Sequence, residues 1–303
     1  IIFYTNFKMT MLKKIAIHCD LNKTSGLGHL SRMKNLSQEL EKKGFKCFFL
    51  FHQKDRNYIV RFTKNLKTIF FSGENKINSI SHFLLENNFL ILIIDSYENN
   101  FLLEKNLVQK GLFIVSIDDH SRKHYSNIVV NNSIDKINLN KKKTSQIWLT
   151  GSKYILVKKI IKRKRNLSYK PKKLKLLLHA GGSSSYKYIK DFTVASLEAI
   201  NRYDLDASIL CTSKDSKDFI KKVLRKYDNI KKIKIFSFIK NLSKKLKNYD
   251  IVAGPSGTTT FETILSGAIP FSVPIKNDGR DSVNSWNSLG HLTHLNSKEK
   301  KNR

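Results

Sequence analysis

Residues 13–44 read KKIAIHCDLNKTSGLGHLSRMKNLSQELEKKG, and this stretch decides the fold. Its first residues form a short apolar run that is typical of a buried strand. Four apolar residues then recur at the spacing of one helix face: Leu30, Met33, Leu36 and Leu40. A strand joined to a helix through a glycine-containing turn predicts the first unit of a parallel α/β sheet.

The same alternation continues along the chain. Strand-like runs follow at FKCFFLF (45–51), FLILIIDSY (89–97), LFIVSIDD (112–119) and NIVVNNS (127–133), with a less regular, partly helical segment after the first of them. Ligands of such sheets bind beyond the carboxyl ends of the strands. The polar residues expected at those ends are Asp20, Asp95, Asp118, Asp119 and Asn131.

A second α/β series begins near residue 174 and includes LKLLLHAGGSSS (174–185), DASILCT (206–212), IKIFSFI (233–239) and YDIVAGPSGTTTFETILSGAIPFSVPI (249–275). The fold class predicted is therefore α/β, with two Rossmann-like domains facing a cleft. We expect an N-terminal domain over 12–157, a basic linker over 158–173, and a C-terminal nucleotide-binding domain over 174–303 that is truncated at its end. The first eight residues or so read as translated leader sequence.

The composition excludes several classes of protein. A formal net charge of +32 accompanies abundant Lys, Asn and Ile, residues with A/T-rich codons, so we attribute it to genome composition and predict no nucleic-acid partner. No apolar run reaches the roughly 18–20 residues of a membrane helix, so no integral membrane segment is predicted. The cysteines, Cys19, Cys47 and Cys211, are far apart, which suits a reducing cytoplasm. We therefore predict a cytoplasmic protein, with its oligomeric state left open.

The turn GLGH contains the first candidate site residues, Gly26, Gly28 and His29. Glycines at such a turn let the backbone approach a ligand closely, and the N–H groups at a helix start favour anions. The motif is shorter than the dinucleotide fingerprint GxGxxG, because Ser31 stands where the third glycine belongs. A histidine here is suited to act as a general base. Alternatively, His29 only hydrogen-bonds the loop.

Two further glycine-rich turns follow strands of the second series. Gly181 and Gly182, followed by serines, offer donors to a phosphate, or form a tight turn capped by serine. The third turn contains Ser256, Gly257 and Thr258, and Glu262 lies about one helical turn further on. A carboxylate at Glu262 is placed to take both hydroxyls of a ribose, or is a surface charge that favours the helix dipole.

Other chemistry is not indicated by the motifs. The sequence contains neither GxxxxGK[ST], HExxH nor GxSxG. Asp118, Asp119 and His120 are consecutive, and neighbouring strand residues point to opposite faces, so we predict no metal site there. No cofactor is predicted.

In order, GLGH, IIDSY, SIDD, VVNNS, GGSSS and YDIVAGPSGTTTFETILSGAIP resemble the UDP-sugar hydrolases of pseudaminic acid biosynthesis. That family is related to the lipid-linked N-acetylglucosaminyltransferase of peptidoglycan synthesis and shares its glycosyltransferase-B fold. The resemblance extends from about Lys14 to Leu295. It implies hydrolysis of a UDP-linked 2,4-diacetamido-2,4,6-trideoxyhexose to the free sugar and UDP, with inversion at the anomeric carbon.

The resemblance also implies roles for single residues. His29 corresponds to the base that activates the attacking water, the acceptor of the reaction. The residues predicted to contact the sugar are Asp20, Gly26, Gly28, Asp95, Tyr97 and Asn277. The residues predicted to bind the nucleotide are Gly181, Gly182, Ser256, Gly257, Thr258 and Glu262. No metal is implied.

One departure from the family's pattern concerns the substrate. The family has an Asn-Gln pair after its last strand, whereas this chain has Asn277 followed by Asp278. Two alternatives to hydrolysis also stay open. One is a glycosyltransferase of the same fold that uses a UDP-sugar donor, and the other is a non-catalytic nucleotide-sugar binding protein.

Overall fold

A computed structural model of the chain describes residues 13–21, 27–73, 76–119, 122–131, 146–158, 173–179, 194, 196–211, 214–225, 233–255, 257–273 and 293–294. The chain separates into two compact units, Ile1–Leu156 and Val157–Arg303. Over the described residues, none of the helices has the length and apolar character needed to cross a bilayer. Within the described residues each unit contains one β-sheet, and the buried apolar side chains of each unit pack on the faces of its sheet.

The first unit contains a seven-stranded sheet in which every neighbouring pair is parallel. Its strands are β1 (Lys14–Cys19), β2 (Lys46–His52), β3 (Thr68–Phe71), β4 (Ile91–Asp95), β5 (Phe113–Ile117), β6 (Ile128–Asn131) and β7 (Ile147–Thr150). Their spatial order is β3-β2-β1-β4-β5-β6-β7. The order reverses direction beside β1, as in a doubly wound fold.

Helices connect these strands. They are α1 (Gly28–Lys42), α2 (Arg56–Ile59), α3 (Lys76–Glu86) and α4 (Phe101–Gln109), with 3₁₀ turns at Gln53–Asp55 and Ser152–Tyr154. After α1 the chain turns at Gly44, whose φ of +89° suits a residue without a side chain. α4 is capped by Asn100, whose side chain accepts from the Leu102 and Leu103 N–H groups at 3.1 and 3.0 Å.

The core of this unit lies on both faces of the sheet. Ile15 and Ile17 of β1 pack with Leu30 and Met33 of α1 on one face. Ala16 of β1 faces the opposite layer, which α3 and α4 cover. Because successive strand residues alternate between faces, a strand that is apolar at every position is covered on both sides.

The second unit contains a six-stranded parallel sheet. Its strands are β8 (Lys175–His179), β9 (Asp206–Leu210), β10 (Lys234–Phe236), β11 (Ile251–Pro255), β12 (Ile269–Val273) and β13 (Thr293–His294). Their order is β10-β9-β8-β11-β12-β13, again with a reversal, here beside β8.

The helices of the second unit are α5 (196–202), α6 (Lys214–Leu224), α7 (Leu242–Lys245) and α8 (Thr258–Ser266), with a 3₁₀ turn at Leu246–Asn248. α8 ends at Gly267, which has a φ of +81°. Pro270 follows within β12, opposite Val252 of β11.

The predicted fold class is confirmed, because two parallel sheets alternate with helices as the apolar runs indicated. The structure adds three strands that the sequence analysis did not predict, β3, β7 and β13. The predicted linker falls mostly at residues 159–172, outside the described part of the chain, and the exact domain limits stay a prediction.

Candidate functional site

A polar cluster lies at the reversal point of the first sheet. β1 and β4 are neighbours there, and Cys19 is in register with Asp95. The Asp20 N–H donates to the Asp95 carbonyl oxygen at 3.1 Å, so the two strand ends stay joined beyond the sheet. α1 starts soon after β1, and His29 is its second residue. Ligands of open parallel sheets bind at this kind of position, so we take the cluster as the candidate active site.

His29 is bonded to a buried carboxylate. Its Nδ1 lies 2.7 Å from Asp95 Oδ1, and the two residues are 5% and 0% exposed. Burial opposes ionisation of Asp95, but Arg32 and His29 hold the pKa of this carboxyl well below its usual range. An ionised carboxylate only accepts hydrogen bonds, so Nδ1 carries the proton of this bond. In the neutral ring, Nε2 is then left with its lone pair.

Tyr97 covers the ring of His29. The two rings meet edge to face, with centroids 4.6 Å apart and an interplanar angle of 88°. Asp20 holds this loop in place, since it accepts from Ser96 Oγ at 2.6 Å and from the Tyr97 N–H at 2.8 Å. Tyr97 is 38% exposed, whereas Asp20 is 8% exposed. Both residues were predicted to contact the sugar, and Tyr97 is therefore more accessible to a ligand than Asp20.

Arg32 belongs to the cluster, although the sequence analysis did not single it out. Its Nε donates to Asp95 Oδ2 at 2.5 Å, and its Nη2 donates to Asp95 Oδ1. Its Nη1 lies 2.9 and 2.7 Å from the two oxygens of Asp119. Burial would lower the pKa of Arg32, but the carboxylates of Asp119 and Asp95 raise this pKa well above its usual value. A signal was present in the sequence, because residue i+3 of a helix lies on the same face as His29.

A second buried network lies behind the Tyr97 loop, centred on the carboxylate of Glu104 in α4. Glu104 is 0% exposed. The groups that donate to it are Asn99 Nδ2, Ser116 Oγ, His124 Nδ1 and the N–H groups of Tyr125 and Ser126. Burial opposes ionisation, yet these bonds lower the pKa of Glu104, with that from His124 contributing most. The residues that donate come from three segments of the chain, the loop before α4, strand β5 and residues 124–126, so one carboxylate connects them.

His124 carries the positive charge of this network. Burial alone would lower its pKa, but the nearby carboxylates of Asp118 and Glu104 raise the pKa to about 9. Its Nε2 lies 3.3 Å from Asp118 Oδ2. Arg122 donates to Asp118 through its N–H and Nε, at 2.8 and 2.9 Å. The same guanidinium reaches the carbonyl oxygen of Tyr97 at 3.2 Å, so the network supports the loop that covers His29.

The reversal point of the second sheet contains another histidine. His179 ends β8, and Gly254 lies in the neighbouring strand β11. A Cβ on Gly254 would lie 2.5 Å from both the His179 carbonyl oxygen and its Nε2, so only glycine fits there. Burial lowers the pKa of His179 to about 4, and the ring is therefore neutral at neutral pH.

Glu262 is the central residue of α8 and is buried. Its exposed fraction is 8%, which does not fit a solvated surface charge. Burial raises the pKa of Glu262 to about 7, and the positive charge of Lys158 opposes that shift only in part. Gly257 and Thr258 lie at the start of the same helix, where the Gly257 N–H donates to Thr260 Oγ1 at 3.3 Å.

Comparisons with known proteins identify relatives of this architecture. No protein-family model matches the sequence. An uncharacterized protein of Methanocaldococcus jannaschii is 27% identical over 299 residues, which cover 93% of this chain and 60% of that protein. Among solved structures, MurG of Acinetobacter baumannii superposes with a TM-score of 0.66 at 11% identity, over 93% of this chain and 85% of MurG.

Two further solved structures are of UDP-GlcNAc 2-epimerases. That of Methanocaldococcus jannaschii, in complex with UDP-GlcNAc and UDP, has a TM-score of 0.58 at 13% identity and covers 95% of this chain and 90% of the enzyme. That of Neisseria meningitidis, bound to UDP-GlcNAc, has a TM-score of 0.57 at 11% identity and covers 92% of this chain and 86% of the enzyme. This chain has the glycosyltransferase-B fold. At such identities the likeness concerns the fold alone, and the chain spans 60% of the length of its curated relative.

Within the glycosyltransferase-B fold, the predicted site residues fall into two groups. Asp20, Gly28, His29, Asp95 and Tyr97 lie in the first unit, at the ends of β1 and β4 or the start of α1. Gly257, Thr258 and Glu262 lie at α8 in the second unit. The other predicted residues lie outside the described part of the chain: Gly26, Gly181, Gly182, Ser256 and Asn277.

The carboxylates considered for a metal have protein partners instead. Asp118 is bonded to Arg122 and lies beside His124, and Asp119 is bonded to Arg32. His120 is outside the described residues. Over the described ranges there is no group of three or more His, Cys, Asp or Glu side chains placed to hold a metal ion.

Proposed function

We propose that the protein processes a UDP-sugar, and specifically that it hydrolyses a UDP-linked 2,4-diacetamido-2,4,6-trideoxyhexose to the free sugar and UDP. The observation that carries the proposal is the His29–Asp95 pair at the reversal point of the first sheet. The glycosyltransferase-B neighbours that contain UDP-GlcNAc support the nucleotide-sugar part of the proposal. The ordered motifs of the sequence support the choice of hydrolysis and of the sugar.

His29 is the general base in this proposal. Asp95 accepts a hydrogen bond from the Nδ1–H group and orients the ring, which leaves Nε2 to take a proton from a water molecule. The water oxygen forms a bond to the anomeric carbon while the bond from that carbon to the UDP oxygen breaks. Attack on the face opposite UDP inverts the anomeric carbon. Asp20 acts through the Tyr97 loop, and Asp95 acts through His29, because their oxygens are bonded within the protein.

The second unit binds the nucleotide in this proposal. The N–H group of Thr258 at the start of α8 suits a diphosphate, and Gly257, whose own N–H donates to Thr260 Oγ1, is proposed to let the backbone approach the phosphates closely. Glu262, once ionised, accepts hydrogen bonds from the two ribose hydroxyls. Gly181, Gly182 and Ser256 are proposed to bind the phosphates, and Gly26, Gly28, Tyr97 and Asn277 the sugar. The reaction as proposed uses no cofactor or metal, because donors from the protein stabilise the charge on the departing UDP.

The test is UDP release by the wild-type protein without any acceptor. The substrates are a panel of UDP-2,4-diacetamido-2,4,6-trideoxyhexoses together with UDP-N-acetylglucosamine. We expect multiple-turnover release from one member of the panel, with the free sugar appearing first as the inverted anomer by proton NMR. Release only after a sugar or lipid acceptor is added would identify a glycosyltransferase. Tight binding without turnover would identify a binding protein, and a changed configuration at C2 without net UDP release would identify an epimerase.

Glu262 gives a pH-dependent prediction for nucleotide binding. Burial raises its pKa to about 7, so the carboxyl is protonated in the free protein below that pH. Only the ionised form accepts from both ribose hydroxyls, so affinity should rise with pH up to about 7 and then level off. Glu262→Gln should bind about 10–100-fold more weakly, the value of hydrogen bonds to a charged group, and should lose this pH dependence.

The measurement is calorimetry with UDP-N-acetylglucosamine, whose diphosphate has no ionisation of its own near neutral pH. The matched control is Glu198→Gln, an exposed carboxylate of the same unit, which should bind like the wild type. Unchanged affinity in Glu262→Gln, or a pH dependence that remains in this variant, would rule out the role proposed for Glu262.

A further inference from the structure

Arg32 connects three elements beneath His29. It extends from α1, one helical turn after His29, to Asp95 at the end of β4 and to Asp119 after β5. Its side chain is 12% exposed, and those of Asp95 and Asp119 are 1% and 10% exposed. Arginine presents its donors in a planar fork that matches a carboxylate, and here one guanidinium serves two carboxylates.

The guanidinium of Arg32 changes the electrostatic environment of the His29 ring. A buried carboxylate beside an imidazole favours the imidazolium form, in which the ring has no lone pair for a base. Arg32 opposes this in two ways. It neutralises Asp95, and its Nη2 lies 3.2 Å from His29 Nδ1, where its charge repels a second positive charge. Both nitrogens are donors, so this approach is electrostatic and the two share Asp95 Oδ1 as acceptor.

The other charged or titratable groups near this contact do not replace Arg32. Tyr97 lies against the ring of His29, and Asp20 is bonded to the Tyr97 loop. Cys19, which precedes Asp20, is buried among these groups, and burial raises the pKa of its thiol well above the usual value. In the described part of the chain, Arg32 is the cation that contacts both His29 and Asp95.

We propose that Arg32 is a positioning residue for His29: it neutralises Asp95 and ties this carboxylate to Asp119, so that Asp95 orients the ring without holding it as an imidazolium. This inference rests on the proposed function for its link to catalysis, but its electrostatic part is independent of any substrate. Lysine would keep the charge and lose the fork, so it cannot serve both carboxylates in the same geometry.

The first test follows the His29 ring by NMR as the pH is varied, without substrate, with its signal assigned by its absence from His29→Gln. In Arg32→Met the titration midpoint of the ring should move to higher pH by about one unit, the low end of the effect of a neighbouring charge. In Asp119→Asn the charge of Arg32 acts on His29 and Asp95 with less compensation, so the midpoint should move to lower pH. Arg61→Met, an exposed arginine of the same unit, is the control and should leave the midpoint unchanged.

Arg32→Met and Asp119→Asn are expected to move the midpoint of His29 in opposite directions. A midpoint that is unchanged in Asp119→Asn, or that moves in the same direction in both variants, overturns it. Asp119→Asn conserves the size of the side chain, so this arm remains informative even where Arg32→Met folds poorly.

The second test measures turnover of the UDP-sugar identified above. Arg32→Met should lower kcat at neutral pH by up to about tenfold, the largest loss that a midpoint shift of about one unit produces, with KM little changed, and activity should recover as the pH is raised. Arg32→Lys should recover only part of this loss. A KM effect with an unchanged pH profile would contradict the inference. NMR midpoints that shift as expected in a protein that releases no UDP would instead contradict the proposed function and leave the role of Arg32 intact.

Discussion

Replacement of His29 by glutamine is expected to lower the rate of UDP release by about 10²–10⁴-fold, the usual contribution of a general base. Glutamine fills much of the same space and keeps a donor for Asp95, but it cannot take a proton from water. The affinity for the UDP-sugar should change little, because the nucleotide is proposed to be held by the second unit. Steady-state release of UDP, together with calorimetric binding, separates these two effects.

The matched control is His82→Gln, a histidine of α3 whose side chain is 74% exposed and whose ion-pair partner is Glu86. This variant should release UDP at the wild-type rate. A His29→Gln protein that folds, binds and still turns over within about threefold of the wild type would remove His29 from the mechanism, since such a loss is far below that of a base. The activity would then have to come from another group of the site.

Replacement of Glu104 by leucine is expected to be the most damaging change for the stability of the first unit. It leaves the positive charge of His124 buried with only Asp118 for compensation, and it removes the acceptor of the Tyr125 and Ser126 N–H groups. Breaking a buried ion pair from one side costs about 3–5 kcal/mol. For a unit of this size the melting temperature should fall by about 10 °C.

The control is Glu86→Leu, which changes an exposed carboxylate on α3 and should stay within about 0.5 kcal/mol of the wild type. Differential scanning calorimetry of the whole chain separates the two units where they melt apart. A Glu104→Leu protein as stable as the control would mean that the network contributes geometry and little free energy. Loss of stability in the second unit alone would also contradict the prediction.

The fold was predictable because the sequences of buried parallel strands are uninterrupted apolar runs. The three strands that were missed show the limit of that rule, and one of them, β13, spans two residues at the edge of the second sheet. β3 (TIFF) and β7 (IWLT) are short, and most of their residues are only partly buried. β3 and β7 lie at the edges of their sheet, so they need less apolar character on both sides. A pattern based on burial therefore finds the middle of a sheet more readily than its edges.

The site was predictable only in part, for a similar reason. The rule that ligands bind at the carboxyl ends of strands was enough to select Asp20 and Asp95, and the GLGH turn selected His29. It does not say which carboxylate meets which cation. The partners of Arg32 are 63 and 87 residues away, and only the register of β1, β4 and β5 brings them together. The burial of Glu262 likewise depends on packing that a single sequence does not display.

The pairing of β1 with β4 also determines when the first unit is able to fold during translation. α1 is able to form early, but His29 has no acceptor until Asp95, 66 residues later, has left the ribosome. During that interval the edge of β1 that β4 will cover is open to pairing with strands of other nascent chains. We therefore expect slowed translation between β2 and β4 to prolong this exposure and to increase aggregation of the nascent chain.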